Sequence, residues 1–500
     1  MIIRFLLLFL FLLSSGVVSR RALADEKNFE EFWEKTVVTV EVTRKQYDYL
    51  QPWSRRVDQL QKMGTIIDGH EILTTADHLA NRTLIRLQKG RGRWFQGEVT
   101  WIDYHANLAT ITCRDEKFWE GTEKAEIAKV APRRGTLQLV RWRSGILEFR
   151  NVEVNRLVVK RGKLTFVDLP HLELDSDMQG IGWAEAIVQD DKLIALATAK
   201  DDQTISSVPC SFIRGCLADR KNEPYQGLGY FSFVWQTAEN PDTLAYLGQE
   251  GEPHGVVVIE VQTNKVSSPV RPRDIILEID GFSIDVQGDY KDPDYGNLLL
   301  ENLANRTKRA GETVKIKIVR DGKEMTVDYV VPKAEYTVEM VPLAVNDREP
   351  EYYLMGGFLF QPLTVPYLQS WGADWNRKAP FRLAYATREE ATKEKPSYVV
   401  LSTVLPDPFN IGYQDSRYLL VDKLNGKTIH TLQDLIAGRQ DAQDGFHLLE
   451  FKEGDSLRRV VLDASETDAA TQRILQRYGI EKDRVLSSPS ATASNKLARD

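Results

Sequence analysis

The sequence predicts a mainly β protein: an all-β barrel or sandwich, then two small β-rich modules that each carry a helix. Three observations support this. From about Asn28 to Pro209, short β-rich runs alternate with turn residues, as in TVVTVEVT, MGTIIDG, RTLIRLQKG, GEVTWID, NLATITC, GTLQLVRW, LEFRNVEVNRLVVKRG and KLIALATA. Between Ser211 and Pro224 the pattern breaks into a short helical stretch and the polar link DRKNEP, a natural boundary. Beyond that link one theme occurs twice.

The first copy, residues 225–334, holds LGYFSFVW, GVVVIEV, DIILEIDG and TVKIKIVRDGKEMTVDYVV around one helical segment, NLLLENLANRTKRAG, ending in Gly311. The second places GGFLF, SYVVLSTVL, YLLVDKLNG and FHLLEFKEG around the helical TLQDLIAGRQ. The closing SSPSATASNKLARD has almost nothing to bury and reads as a disordered tail. The expected division is a leader at 1–24, a β domain at 25–223, modules at 224–335 and 336–484, and a tail at 485–500.

The leader is read from Arg4, the apolar run Phe5 to Leu13, and the small-residue site Ala22-Leu23-Ala24. It predicts export to a periplasmic or secreted location. Losing Arg4, Arg20 and Arg21 would take the net charge from -7 to -10. No later segment approaches the ~20 apolar residues a membrane span needs. An acidic chain without a long basic run argues against nucleic acid or an anionic membrane as partner. Three cysteines, Cys113, Cys210 and Cys216, are too few and too odd in number for a disulfide framework, although Cys210 and Cys216 could bridge locally. The seven histidines are scattered without CxxC or HExxH, so neither metal nor cofactor is expected.

Two strings carry a resemblance. GTIIDGHEILTTADHLA near the start of the β domain, and DYHANLATIT downstream of it, resemble the histidine and aspartate segments of the Deg/HtrA serine proteases. Pro52-Trp53 within TVVTVEVTRKQYDYLQPWSRR, and FWEG at 118–121, are similar to the branch best known from plants. So are GGFLFQPL, NIGY at 410–413, LNGKTI and YGI at 478–480. The resemblance implies a trypsin-like double β-barrel followed by two PDZ-like α+β domains, assembled as trimers or multiples of trimers.

It also implies three catalytic positions, and each is occupied by an unexpected residue. A trypsin-like site needs a serine nucleophile, a histidine base and an aspartate that fixes the imidazole tautomer. Aligned without a gap, ILTTADHLA puts Asp77 in the histidine place and leaves His78 one residue late. A slip of one residue turns a side chain by ~100° if the turn is helical, which would aim His78 away from the cleft. The aspartate position falls on Asn107, a change that costs ~10⁴-fold in rate in the trypsin-type precedent. Counting back from LIALA at 193–197, the nucleophile position falls on Gly182, which has no oxygen to acylate. Rival candidates are His78 with Ser176, because Asp175-Ser176 resembles a nucleophile turn. Ser176 lacks the Gly-Gly that should follow and lies early for the strand spacing. Ser206 and Ser207, before Val208-Pro209, fit less well.

Binding is expected elsewhere. PDZ modules capture peptide ends by strand addition, with backbone amides on the terminal carboxylate. Gly227, Leu228, Gly229 and Tyr230 form the expected carboxylate loop, with Leu228 and Tyr230 lining an apolar pocket. The corresponding run Gly356 to Phe360 is assigned no free ligand. The expected function is therefore a pseudoprotease that binds unfolded polypeptides or partner C-termini, as a holdase or scaffold. The alternatives are an active serine endopeptidase with a rearranged site, and a subunit that completes an oligomer with an active paralogue.

Overall fold

The computed structural model describes residues 27–249, 251–262, 268–452 and 459–486. The leader and nearly all of the tail lie outside the described residues. The fold is mainly β, and it contains the expected pair of barrels.

Strands β1 (Val37–Tyr47), β2 (Arg55–Ile67), β3 (Glu71–Thr74), β4 (Arg82–Gln88), β5 (Trp94–Asp103) and β6 (Leu108–Cys113) close into a barrel in the order β1-β2-β3-β6-β5-β4. The alternation along β1 explains the closure. Val38, Val40 and Val42 point inward against Ile72, Ile85, Leu87 and Ile111, while Val37 faces the second barrel. Strands β7 (Glu126–Ile127), β8 (Thr136–Arg143), β9 (Ile146–Arg161), β10 (Asp168–Asp175), β11 (Ala186–Gln189), β12 (Lys192–Asp201) and β13 (Thr204–Pro209) form the second. Its order β11-β8-β9-β10-β13-β12 returns from β12 to β11, and β7 runs parallel to β12 outside the ring. Leu139, Leu172, Leu174, Ile187, Ala195 and Ile205 fill it.

One core joins the barrels. Trp33, on a helix at residues 27–36, is fully buried there and its indole donates to Asp190 O at 2.9 Å. Met63, Leu73, Leu108, Val140 and Leu196 pack around it. The cleft therefore lies between two walls fixed by a shared apolar seam. A helix at Cys210–Asp219 ends the second barrel, and all three cysteines are buried and unpaired. Burial pushes the Cys210 thiol up to about 11.

The first module is a sheet in the order Phe233–Gln236, Val256–Val261, Ile275–Ile279, Thr313–Arg320, Lys323–Val330. Its helical segment is shorter than expected, 300–306, because Gly296–Leu299 pairs as a strand with Asp289–Asp292. The second module is a larger sheet whose last strand, Arg484–Val485, pairs with Tyr353 and Tyr352. Val485 thus belongs to the sheet, although the composition placed it in the tail. Short helices between residues 365 and 388, and a helix at Thr467–Tyr478, make the second module more than a copy of the first. It also packs on the first barrel: Trp53 meets Tyr352 edge-on at 5.9 Å, and Tyr49 and Leu50 join the core under the short helices.

Candidate functional site: a cleft filled by its own side chains

Asp77 and His78 sit in the turn after β3, where Leu79 N closes onto Ala76 O at 3.0 Å. Asn107 precedes β6 in a left-handed conformation, φ +53°, which asparagine tolerates better than most residues. From there its Oδ1 accepts Asp77 N at 2.8 Å. So the first two triad-equivalent positions do meet, and Asn107 spends its acceptor on holding the Asp77 backbone.

The Asp77 carboxylate is held by charge. Its Oδ2 lies 2.6 Å from Lys163 Nζ and 3.4 Å from His78 Nε2, ionic contacts without hydrogen-bond alignment. Burial raises its pKa, but His78, which takes up a proton only in the acid range where Asp77 itself titrates, and the Lys163 cation outweigh that and hold the carboxyl below its ordinary range. Lys163 reaches in from the β9–β10 hairpin and also donates to Thr198 O at 3.0 Å. Behind Asp77, Lys62 of β2 is fully buried. Its three protons go to Thr75 O and Thr75 Oγ1 at 2.6 Å and to Asp77 O at 2.7 Å. Burial pushes the Lys62 ammonium down to about 7, against the opposing pull of Asp77.

His78 does not point away from the cleft. Its backbone is left-handed, φ +65°, so the helical geometry behind the expected rotation does not apply. The ring stacks on Trp183 at 4.9 Å, and Nδ1 faces Arg44 Nη1 at 3.0 Å. Burial brings its pKa down to about 4, so the imidazole is neutral at pH 7.

The turn expected from spacing to hold the nucleophile is closed from inside. Gly182 has φ +114°, and a Cβ there would lie 3.0 Å from Ala199 Cα and 3.2 Å from Thr198 O. Only glycine fits this approach without a backbone shift. The amides of Gly182 and Trp183 both donate to Glu185 Oε2, at 3.0 and 2.8 Å. Glu185 is 2% exposed, and burial raises its pKa. A buried carboxyl group therefore occupies the amides of Gly182 and Trp183 from inside the protein. Trp183 O, meanwhile, accepts Met63 N at 2.8 Å, tying this turn to β2. Sequence reasoning missed Glu185, Lys62 and Lys163. The only signal was Lys62 at the start of the buried half of β2; Lys163 and Glu185 stand in turns, where charged residues are ordinary.

Ser176 lies at the far end of β10. Its Oγ accepts Met178 N at 3.2 Å and its amide donates to Gln203 O at 2.8 Å, a local turn with no bond to His78. Ser206 does meet a histidine, His171 Nδ1 at 3.2 Å, but His171 is buried and its Nε2 finds no partner among the described residues.

The rim of the cleft is crossed by the segment that joins the two modules. Tyr336 stacks on His105 at 4.1 Å and donates to Leu164 O at 2.6 Å. Asp347 accepts Asn81 N at 2.8 Å and Tyr104 OH at 2.5 Å, and pairs with Arg82 at 3.4 Å. These contacts bridge the loops that carry His78 and Asn107.

The expected carboxylate loop is not an open pocket. Leu228 and Tyr230 are buried in the core shared with the barrels, Tyr230 edge-on to Phe166 at 5.2 Å. Gly229 N donates to Asn305 Oδ1 at 2.8 Å, Tyr230 N to Pro332 O at 3.3 Å, and Ser232 N to Tyr329 OH at 2.8 Å. The apolar side chains found a drier partner in the barrel than any pocket offers, and the amides followed into internal bonds. In the second module Gly356 N likewise donates to Thr471 Oγ1 at 2.8 Å.

A family model described as PDZ domain matches residues 341–487. Putative protease Do-like 13 of Arabidopsis thaliana is 23% identical over 462 residues, covering 89% of this chain and 88% of its own. Protease Do-like 2, chloroplastic, from the same plant, is 24% identical over 469 residues, covering 90% of this chain and 74% of its own. The chain belongs to the Deg/HtrA family. Among solved structures, the HtrA-type protease AlgW with decapeptide aligns at 16% identity and TM-score 0.45, covering 60% of this chain and 95% of that one. Relatives of this Deg/HtrA chain include proteins described as mitochondrial or chloroplastic. Among the described residues no helix is long and apolar enough to cross a membrane, and no group of three or more His, Cys, Asp or Glu could hold a metal ion.

Proposed function

We propose that this Deg/HtrA protein binds polypeptide without cleaving it, as an exported chaperone-like or scaffolding pseudoprotease. One observation carries the reading: at the turn that the strand spacing aligns with the attacking position, Gly182 has no side-chain oxygen, and Glu185 caps its amide and that of Trp183. Acyl transfer needs both a nucleophile and free oxyanion donors; Gly182 carries no hydroxyl, and its own amide, one of the donors such a site would use, is held by Glu185. Asp77, at the base position, is engaged by Lys163 and cannot cycle a proton near neutral pH.

The PDZ domains supply the binding in this reading. Their ligands are unfolded segments or partner C-termini, and trimeric assembly would make weak sites collectively tight. Because the Gly229 and Tyr230 amides are internally bonded, capture at that loop requires Asn305 to release Gly229 first.

Purified mature protein and its Ser176→Ala variant, incubated with casein and with a fluorophosphonate probe, test the reading. The expectation is no cleavage and no covalent label in either, together with suppressed aggregation of reduced insulin. Ser176-dependent cleavage or a labelled serine would overturn it in favour of the rearranged endopeptidase.

A further inference from the structure

The turn Arg271-Pro272-Arg273 at one end of the first PDZ domain holds a conformation that its side chains do not favour. Arg273 has φ +76°, in the left-handed region where a side chain crowds its own backbone. It is kept there by Arg273 N to Val258 O at 2.8 Å and Asp274 N to Arg271 O at 3.1 Å. Beneath it Asp274, 1% exposed, accepts Arg271 N at 2.8 Å and Arg320 Nε and Nη2 at 2.7 and 2.6 Å. A buried ion pair thus clamps the turn from below. Strain that the surrounding structure over-determines concentrates where a site must be pre-organised.

What the strain presents is charge. Neither the Arg271 nor the Arg273 guanidinium forms an ion pair among the described residues. Arg273 instead lies over the ring of Tyr246 at 5.4 Å, and Tyr246 is itself 77% exposed. These residues, with Asp274 and Arg320, line a cavity of about 360 Å³. We propose that this cavity binds an acidic polypeptide segment, its carboxylates seated on the Arg271 and Arg273 forks and a flanking residue against Tyr246. Planar guanidinium forks match planar carboxylates, and an exposed ring beside them suits a peptide. Asp321, also on the cavity wall, disfavours a dense phosphate array more than spaced, singly charged carboxylates.

The inference does not depend on the cleft being inactive. Fluorescence anisotropy of a fluorescein-labelled Glu-Gly decapeptide, amidated to remove its terminal carboxylate, tests it on the full chain. The Glu peptide should bind at least ~10-fold tighter than its Gln counterpart, and Arg271→Ala and Arg273→Gly should each weaken it by ~5-fold. Asp321→Asn should strengthen it by ~2-fold. Arg273→Gly relieves the strained backbone, so its melting temperature should hold or rise, separating lost binding from lost folding. The proposal is overturned by equal binding of the two peptides, by unchanged affinity in Arg273→Gly, or by tripolyphosphate binding more tightly than the peptide.

Discussion

The cleft between the barrels and the glycine loop of the first PDZ domain are both filled by the chain itself, but with opposite chemistry. In the cleft, the amides of Gly182 and Trp183 face a buried carboxyl group, while Asp77 pairs with Lys163 and accepts a hydrogen bond from buried Lys62 at its carbonyl. In the loop, the amides of Gly229 and Ser232 face a neutral carboxamide and a phenol, backed by apolar packing. Charge closes one site and shape closes the other. Closure by charge responds to pH and to a competing ion, whereas closure by packing responds only to volume and to the order of the core.

Substitutions separate the two. The largest effect is expected at Gly229→Ala, because a Cβ there would lie 2.2 Å from Val331 Cγ1 and 3.3 Å from Ala304 O. Urea unfolding should show a loss of ~2–3 kcal/mol. A neutral result would mean that the loop opens readily, and the contrast with the cleft would fail. Next is Glu185→Ala, which strands the Gly182 and Trp183 amides and should cost about 1–3 kcal/mol. Added acetate should recover part of that loss if the site accepts anions, and no recovery would show the cleft to be closed by packing as well. Gly182→Ser should cost ~1–2 kcal/mol through its left-handed backbone and the Ala199 contact. It should gain no fluorophosphonate label, since Glu185 still holds the amides. Labelling of the Gly182→Ser variant would show that a hydroxyl at this one position suffices for reactivity.

The effect that is smallest at neutral pH is a slope. The imidazole of His78 is held at about 4, while an unfolded histidine titrates near ~6.5. Above the unfolded value the stability linked to neutral His78 is fully present. As pH falls through this window the unfolded chain takes up a proton the folded chain refuses, and that stability is lost. His78→Asn, which suits the left-handed backbone, should flatten the stability profile between these pH values by up to about 1.4 kcal/mol per pH unit and leave pH 7 unchanged. His171, also buried to about 4, would supply any slope that remains.

Much of the fold was legible because it rests on local alternation. Val38, Val40 and Val42 announce an inward face wherever they fold, and Thr431 with Asp434 caps the helix that TLQDLIAGRQ suggests. The helix Thr467–Tyr478 carried its own stop signal in left-handed Gly479, but its polar surface hid the pattern. The nearness of Asp77 and Asn107 was legible too, since both were expected at one site from spacing along strands.

The sequence by itself determined which residue types stand at positions 77, 107 and 182, and so the absence of a hydroxyl at the last of them. Only the tertiary structure decided what surrounds those positions. Lys163 and Asp77 meet across a long separation in the chain, and Leu228 chooses the barrel core over a pocket of its own module. Such contacts depend on which surfaces lose water together, and no local pattern of residues records that.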